Sequence, residues 1–313
     1  MRVAVIDLGT NTCNLLIAEL DSYGYEILHQ SKQLVKLGDD KIRENEISAP
    51  ATSRVLESFQ IHQKIISEYQ AEKVRVVATS AVRTAENKID FLNQISENSG
   101  WLVRLISGEK EAEMIFEGVL LAFNEFKNPA LILDIGGGSN ELILASEKKI
   151  LWKESQPAGM ARIINRFKIF DPVRTNEIKQ LQNYFFEWHK NAFEKCKAEN
   201  VKTLVGCSGA FDTIADVIDQ VNPGEKMRKT QEISISDFYE VYKTLIKSTR
   251  EQRLLMKGMD MVRVDLIVPA VILIEHLISK TGISQIIQTD FALREGVLFE
   301  MMNRNKIKSG ETV

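Results

Sequence analysis

Two segments of this chain carry the residue types of a phosphate grip. The first reads Val5-Ile6-Asp7-Leu8-Gly9-Thr10-Asn11 and continues into Leu15-Leu16-Ile17-Ala18. The second reads Leu133-Asp134-Ile135-Gly136-Gly137-Gly138-Ser139-Asn140 and continues into Glu141-Leu142-Ile143-Leu144. Each is an apolar run ending in Asp, a glycine-bearing turn with small polar residues, and a second apolar run. Glycine lets backbone N–H groups crowd around an anion, and Thr10, Asn11, Ser139 and Asn140 add side-chain donors. Asp7 and Asp134, at strand ends, can hold a cation or order water. Two such hairpins facing each other would grip a chain of phosphates from both sides. Both turns lead into strands, which separates them from the Walker loop and the dinucleotide fingerprint, whose glycines open a helix.

Four further segments bear on chemistry. Ala78-Thr79-Ser80-Ala81-Val82-Arg83 follows a β-branched run. It reads either as a strand end with a solvated arginine or as Ser80 and Arg83 set on phosphate oxygens, the guanidinium through its planar fork. Ser107-Gly108-Glu109-Lys110-Glu111-Ala112 opens a helix. Acidic residues favour the positive end of a helix dipole, so on the string alone capping is the preferred reading of Glu109 and Glu111. A carboxylate there is also able to orient and deprotonate a water. Gly206-Cys207-Ser208-Gly209 is a third small-residue turn, and Arg263-Val264-Asp265 and Arg294-Glu295-Gly296 open two late helices, either Arg being able to face a polyphosphate. His29, His62, His189 and His276 show no repeated ligand spacing and read as structural. Neither a Ser/His/Asp nucleophile elbow nor an HExxH pattern is present.

These residues must be held by alternating strands and helices. Strands are expected at 2–7, 15–20, 26–35, 74–78 and 102–106, and helices at 50–69, 88–97 and 108–123. Asn128-Pro129 then punctuates the chain. The scheme repeats with strands at 131–134, 141–145, 150–154, 203–206 and 285–289, and helices at 158–167, 175–197, 210–219, 236–248, 265–280 and 293–303, with a loop at 222–229 and a disordered tail from 306. Such alternation predicts α/β layers, duplicated at domain scale, with a first lobe at 1–126 and a second at 127–313. The last helix, about 293–305, is able to pack back on the first lobe.

Composition narrows the class. The 313 residues are 44% hydrophobic and 27% charged, as in ordinary globular proteins. A net charge of −3 argues against general nucleic-acid binding. Cys13, Cys196 and Cys207 are scattered, which fits a reducing compartment. The longest apolar stretch, 266–278, holds Pro269, Glu275 and His276 and reads as a buried helix, so no membrane partner is expected. Met1-Arg2 runs straight into the first strand, leaving no room for a signal peptide, and a cytoplasmic location is expected.

Together these segments resemble the exopolyphosphatase/guanosine pentaphosphate phosphatase (Ppx/GppA) family of the actin-like ATPase and sugar kinase superfamily. The resemblance rests on residues 7–11, 79–83, 106–112, 134–139 and 293–296, the Ser107-Gly108-Glu109-Lys110-Glu111-Ala112 stretch being specific to the family. It implies two ribonuclease-H-like lobes around a cleft. It also implies release of terminal orthophosphate from inorganic polyphosphate or guanosine pentaphosphate with a divalent metal such as Mg²⁺, by a homodimer. On the matching positions it places the catalytic glutamate at Glu111, the phosphate-contacting arginine at Arg83, and metal-linked acids at Asp134 and Glu141. Position 140 departs from the pattern, being Asn where the family has Thr or Ser, and the third turn lacks the usual adjacent glycines. Longer members continue into a C-terminal helical domain, which sets an expectation of shorter chains or a nucleotide as substrate here. Two rivals stay open: an actin-like or sugar-kinase-like ATPase, for which 206–209 is the candidate adenosine contact, and a sensor that binds guanosine tetra- or pentaphosphate without cleaving it.

Overall fold

The computed structural model describes residues 1–22, 24–38 and 45–309, with 304–309 as backbone alone. The chain divides into two compact units, Met1–Gly118 with Leu293–Val313, and Val119–Ala292.

In the first unit, β1 (Arg2–Leu8), β2 (Thr12–Leu20) and β3 (Tyr25–Leu34) form an antiparallel meander. Helix α1 (Ala49–Glu68) crosses to β4 (Lys73–Ala78), which lies parallel to β1. Helices α2 (Ser80–Thr84) and α3 (Lys88–Ser99) lead to β5 (Val103–Leu105), parallel to β4, and α4 (Gly108–Phe123) follows. The strand order is β3-β2-β1-β4-β5. Ser48 caps α1 by accepting from the Ala51 N–H at 3.3 Å, and left-handed Gly100 (φ 72°) ends α3. Residues 3–6 and 15–18 are fully buried, as expected of continuous apolar runs in central strands covered on both faces.

The second unit repeats the plan. β6 (Phe126–Ile135), β7 (Asn140–Glu147) and β8 (Lys149–Gln156) form the meander. Helices α5 (Met160–Arg166) and α6 (Thr175–Ala198) cross to β9 (Thr203–Cys207), parallel to β6. Then come α7 (Gly209–Asp219), β10 (Gln231–Ile233), α8 (Ile235–Lys247), α9 (Arg250–Leu254), α10 (Ile267–Thr281) and β11 (Gln285–Thr289). The order is β10-β11-β9-β6-β7-β8. Helix α11 (Leu293–Ser309) closes the described chain and packs on β1 and β2, within the first unit. The fold is thus the expected α/β class, with two mixed sheets in the strand order that the resemblance to ribonuclease-H-like lobes implies.

Several elements differ from expectation for identifiable reasons. The division falls inside α4, upstream of 126/127. β6 runs through Asn128-Pro129 because its register with β7 shifts between Phe126 and Ala130, where a residue without N–H can be absorbed. α2, β10 and α9 are too short to leave a periodic signal. The last helix runs on to Ser309 through the expected tail, whose remaining residues 310–313 lie outside the described ones. α10 is buried on nearly every side, as an all-round apolar helix must be. No helix among the described residues is long and apolar enough to cross a membrane. Cys13, Cys196 and Cys207 are buried free thiols.

Two packing details carry consequences. A Cβ added at Gly296, in the first turn of α11, would fall 1.8 Å from the Met114 carbonyl oxygen of α4. Gly296→Ala should therefore force the helices apart and destabilise the protein by about 1–3 kcal/mol in denaturant unfolding. His276 of α10 is buried against Phe193 and Phe186 of α6, with ring centroids 5.3 and 6.5 Å away. Burial and nearby Lys280 push its pKa down to about 4. The unfolded chain protonates this imidazole near its ordinary value of about 6.5, so between there and pH 4 the unfolded state binds the extra proton and stability falls with pH. His276→Leu should flatten the drop in Tm between pH 7 and pH 5, and an unchanged slope would show that His276 does not contribute.

Candidate active site

In the second unit the glycine turn between β6 and β7 is fastened by its carbonyls. The Gly136 N–H closes the turn on the Ser139 carbonyl at 2.9 Å. The carbonyl of Gly136 accepts from the Met160 N–H (3.0 Å), that of Gly137 from the Ala161 N–H (2.8 Å), and that of Gly138 from Arg162 Nε (3.0 Å). All three oxygens are thus held on the side of α5. A trans peptide points its N–H opposite its C=O, so the N–H groups of Gly137, Gly138 and Ser139 face away from α5. That is a nest of converging donors, suited to phosphate oxygens. Glycine is needed at 159 for this clamp, since a Cβ there would lie 2.5 Å from backbone atoms of Gly137, Gly138 and Ser139.

Asp134 and Glu141 are cross-strand partners at the mouth of this hairpin, so their side chains share one face of the sheet. Glu141 is only 2% exposed and accepts from Ser155 Oγ at 2.6 Å. Among the described residues no group of three or more His, Cys, Asp or Glu could by itself hold a metal. Two facing carboxylates instead suit a hard cation such as Mg²⁺, which keeps several waters and takes further oxygens from phosphate. Asn140, expected on phosphate, projects to the opposite face of the sheet. Its side chain is fully buried, and Nδ2 donates to the Ala158 carbonyl at 2.8 Å. Alternation along a strand separates it from Glu141 beside it.

The third turn adds a cation that the local sequence flagged only weakly. Ser208 is held at φ 70°, unusual for a non-glycine residue, and its Oγ donates to the Ile135 carbonyl at 3.4 Å. Next to it the guanidinium of Arg263 lies so close that a Cβ on Gly209 would be 2.4 Å from Nε. That guanidinium makes no hydrogen bond or ion pair among the described residues. Position 263 reads as an ordinary helix-start charge, because nothing in its neighbours in sequence reveals a glycine 54 residues earlier beneath it.

The first unit builds its turn in the same way. The Gly9 N–H closes on the Thr12 carbonyl at 2.9 Å. The carbonyl of Thr10 accepts from Leu37 N–H (2.7 Å), and that of Asn11 from Val35 and Lys36 N–H (2.9 and 3.0 Å). Asn11 Nδ2 is covered and has no hydrogen-bond partner among the described residues. The same holds for Asp7 Oδ1, while Asp7 Oδ2 accepts from Asn14 Nδ2 at 3.0 Å. Burial raises the Asp7 pKa to about 6, partly opposed by Arg294. Orphaned atoms of both signs beside one turn mark a polar, ligand-ready end of the sheet.

The segment after β4 is a short helix, α2, joined to β1 by the Thr79 N–H on the Leu8 carbonyl at 3.2 Å. It buries Ser80 and aims Arg83 at α4. Arg83 Nη1 donates to Glu111 Oε2 at 2.8 Å and to the Ile106 carbonyl at 3.1 Å, leaving Nε and Nη2 unengaged among the described residues. The two glutamates of α4 part company here. Glu109 is exposed, and Ser107 Oγ caps the helix by accepting from the Lys110 N–H at 3.2 Å. Glu111 is 7% exposed and faces Arg83. Arg294 lies 3.6 Å from the buried Glu295 in the first turn of α11.

The likeness to known proteins is extensive. The profile of the Ppx/GppA phosphatase family matches residues 16–305. A bifunctional 3-dehydroquinate synthase/phosphatase of Fusobacterium nucleatum is 30% identical over 95% of this chain, which spans 46% of that protein's length. Exopolyphosphatase 2 of Mycobacterium tuberculosis is 26% identical over 96% of this chain and 98% of its own. The crystal structure of an exopolyphosphatase from Cytophaga hutchinsonii superposes with a TM-score of 0.92, at 34% identity, covering 97% of this chain and 98% of that one. On this combined ground the chain belongs to the Ppx/GppA phosphatase family.

Proposed function

We propose that the protein releases terminal orthophosphate from inorganic polyphosphate, and from guanosine pentaphosphate, which ends in the same anhydride. The observation that carries this reading is the buried Glu111, paired to Arg83 at 2.8 Å. Relatives named exopolyphosphatase, aligned over nearly the whole chain, support the substrate class.

In this reading Glu111 holds a water and takes its proton as the water oxygen bonds to the terminal phosphorus. The bridging P–O bond breaks in line, and the shortened chain leaves with the electron pair. Arg83 orients Glu111, and its remaining donors offset charge on the phosphoryl oxygens. Backbone N–H groups of Thr10 and Asn11 and of Gly137, Gly138 and Ser139 donate to phosphate oxygens, the Gly9 and Gly136 N–H groups closing the two turns, with Ser80 adding a hydroxyl and Arg263 adding charge. Asp134 and Glu141 are the carboxylates that would hold Mg²⁺, which when bound neutralises phosphate charge. Asp7 offers a further carboxylate in the first unit, where a cation would favour its ionised form.

Glu111→Gln should lower kcat for tripolyphosphate by roughly 10²–10⁴-fold with little change in KM, while Glu109→Gln behaves as the parent. Wild-type turnover by the Glu111→Gln protein would remove Glu111 from the mechanism. Chelation with EDTA should abolish orthophosphate release, and Mg²⁺ should restore it, without altering the circular dichroism spectrum. Full activity after exhaustive chelation would show that Asp134 and Glu141 hold no functional cation.

A further inference from the structure

We propose that His189 is a positioning residue for the phosphate-binding turn of the second unit, acting in its neutral form through Asn140. The inference rests on the reading of residues 136–139 as a phosphate cradle.

His189 is fully buried in the middle of α6, and the helix departs from helical geometry there (φ −114°, ψ 20°). A kink without proline or glycine needs a cause, and a local backbone outlier is a pointer to a constraint imposed from outside the helix. The constraint visible here is the imidazole itself. Its Nε2 lies 3.4 Å from Asn140 Nδ2, and its Nδ1 faces Glu154 Oε1 of β8 at 3.9 Å. Phe185 stacks on the ring at 6.4 Å between centroids.

The Asn140 amide fixes the protonation state. Nδ2 donates to the Ala158 carbonyl at 2.8 Å, and reversing the amide would set its oxygen against that carbonyl. Nδ2 therefore presents its second N–H to His189 Nε2, which must be the lone-pair nitrogen. The proton of the neutral ring then sits on Nδ1, toward Glu154. Burial pushes the His189 pKa below its ordinary value, against the pull of Glu154, in accord with this geometry. His276 of α10 is the other titratable neighbour, and burial keeps it neutral too.

The contact reaches the cradle in two steps. Asn140 immediately follows Ser139, and Ala158 immediately precedes Gly159, whose Cα packs on residues 137–139. Met160 and Ala161 then hold the carbonyls of Gly136 and Gly137. The amide of Asn140 is thus a side-chain tie between the two segments of backbone that shape the nest, at the end where the turn enters β7. A protonated His189 would set Nε2–H against the amide N–H and break that tie.

The test uses tripolyphosphate, with Kd read by calorimetry in the Glu111→Gln background and KM and kcat read in the parent. His189→Leu should weaken Kd and raise KM by about five- to tenfold while kcat stays within about twofold, the signature of lost uniform binding. His189→Gln, whose carbonyl can accept from Asn140, should bind as the parent at pH 7.5. On acidification the parent should lose affinity more steeply than the His189→Gln protein. A folded His189→Leu protein with parental Kd, an equal defect in His189→Gln, or identical acid profiles would overturn the inference. Should His189→Leu fail to fold, the comparison of acid profiles decides alone. A wild-type protein that binds tripolyphosphate yet releases no orthophosphate would refute the hydrolase reading and leave this one to be judged on Kd.

Discussion

A planar trans peptide cannot point its C=O and N–H the same way, and the site is built on that constraint. Wherever the carbonyls of a turn are bonded to the scaffold, the opposite side becomes a row of donors. In the second unit α5 and Arg162 take the carbonyls of Gly136, Gly137 and Gly138; in the first, residues 35–37 take those of Thr10 and Asn11. Different scaffolds thus serve two similar hairpins, with an N–H closing on the carbonyl three residues later in both turns. Loosening either scaffold would rotate the peptides and dissolve the donors, whatever the turn's own sequence.

Around these turns the protein buries carboxylates, which is unfavourable unless each is compensated. Glu111 has Arg83, Glu141 has Ser155, and Asp7 has Asn14 on one oxygen only. The incompletely satisfied Asp7 is the one whose pKa rises to about 6. A buried carboxylate at a strand end, beside an Asn11 amide nitrogen with no partner among the described residues, conflicts with stability and is intelligible as provision for a charged ligand. By contrast Arg228 is buried with Asp216 at 2.7 Å and Asp219 at 2.8 Å and fully engaged, which marks it as a fastening of the 222–229 loop.

Much of the fold was legible because secondary structure is written locally. Continuous apolar runs, the first of each pair ending in Asp, gave β1, β2, β6 and β7, and the duplicated order of strands followed from the duplicated hairpin. Gly9 and Gly136–Gly138 stood out for the same reason, since a turn advertises itself in its own residues. Pieces of little more than one period, such as α2 and β10, left no trace, and α2 is the element that aims Arg83.

The chain by itself therefore determined the two hairpins, their Asp and glycine residues, and the family to which they belong. What only tertiary structure decided was which side chain meets which. Glu109 and Glu111 are equivalent as helix-start acids, and Glu111 is singled out by an arginine 28 residues earlier. Asn140 looks like one more loop donor, and its burial follows from strand alternation and from a histidine 49 residues later. Arg263 reads only as one of two helix-start arginines, and its place against Gly209 is set by packing. Propensity and periodicity act between neighbours in sequence, whereas ion pairs, orphaned atoms and close glycine contacts arise between segments brought together by packing, where separation along the chain carries no information.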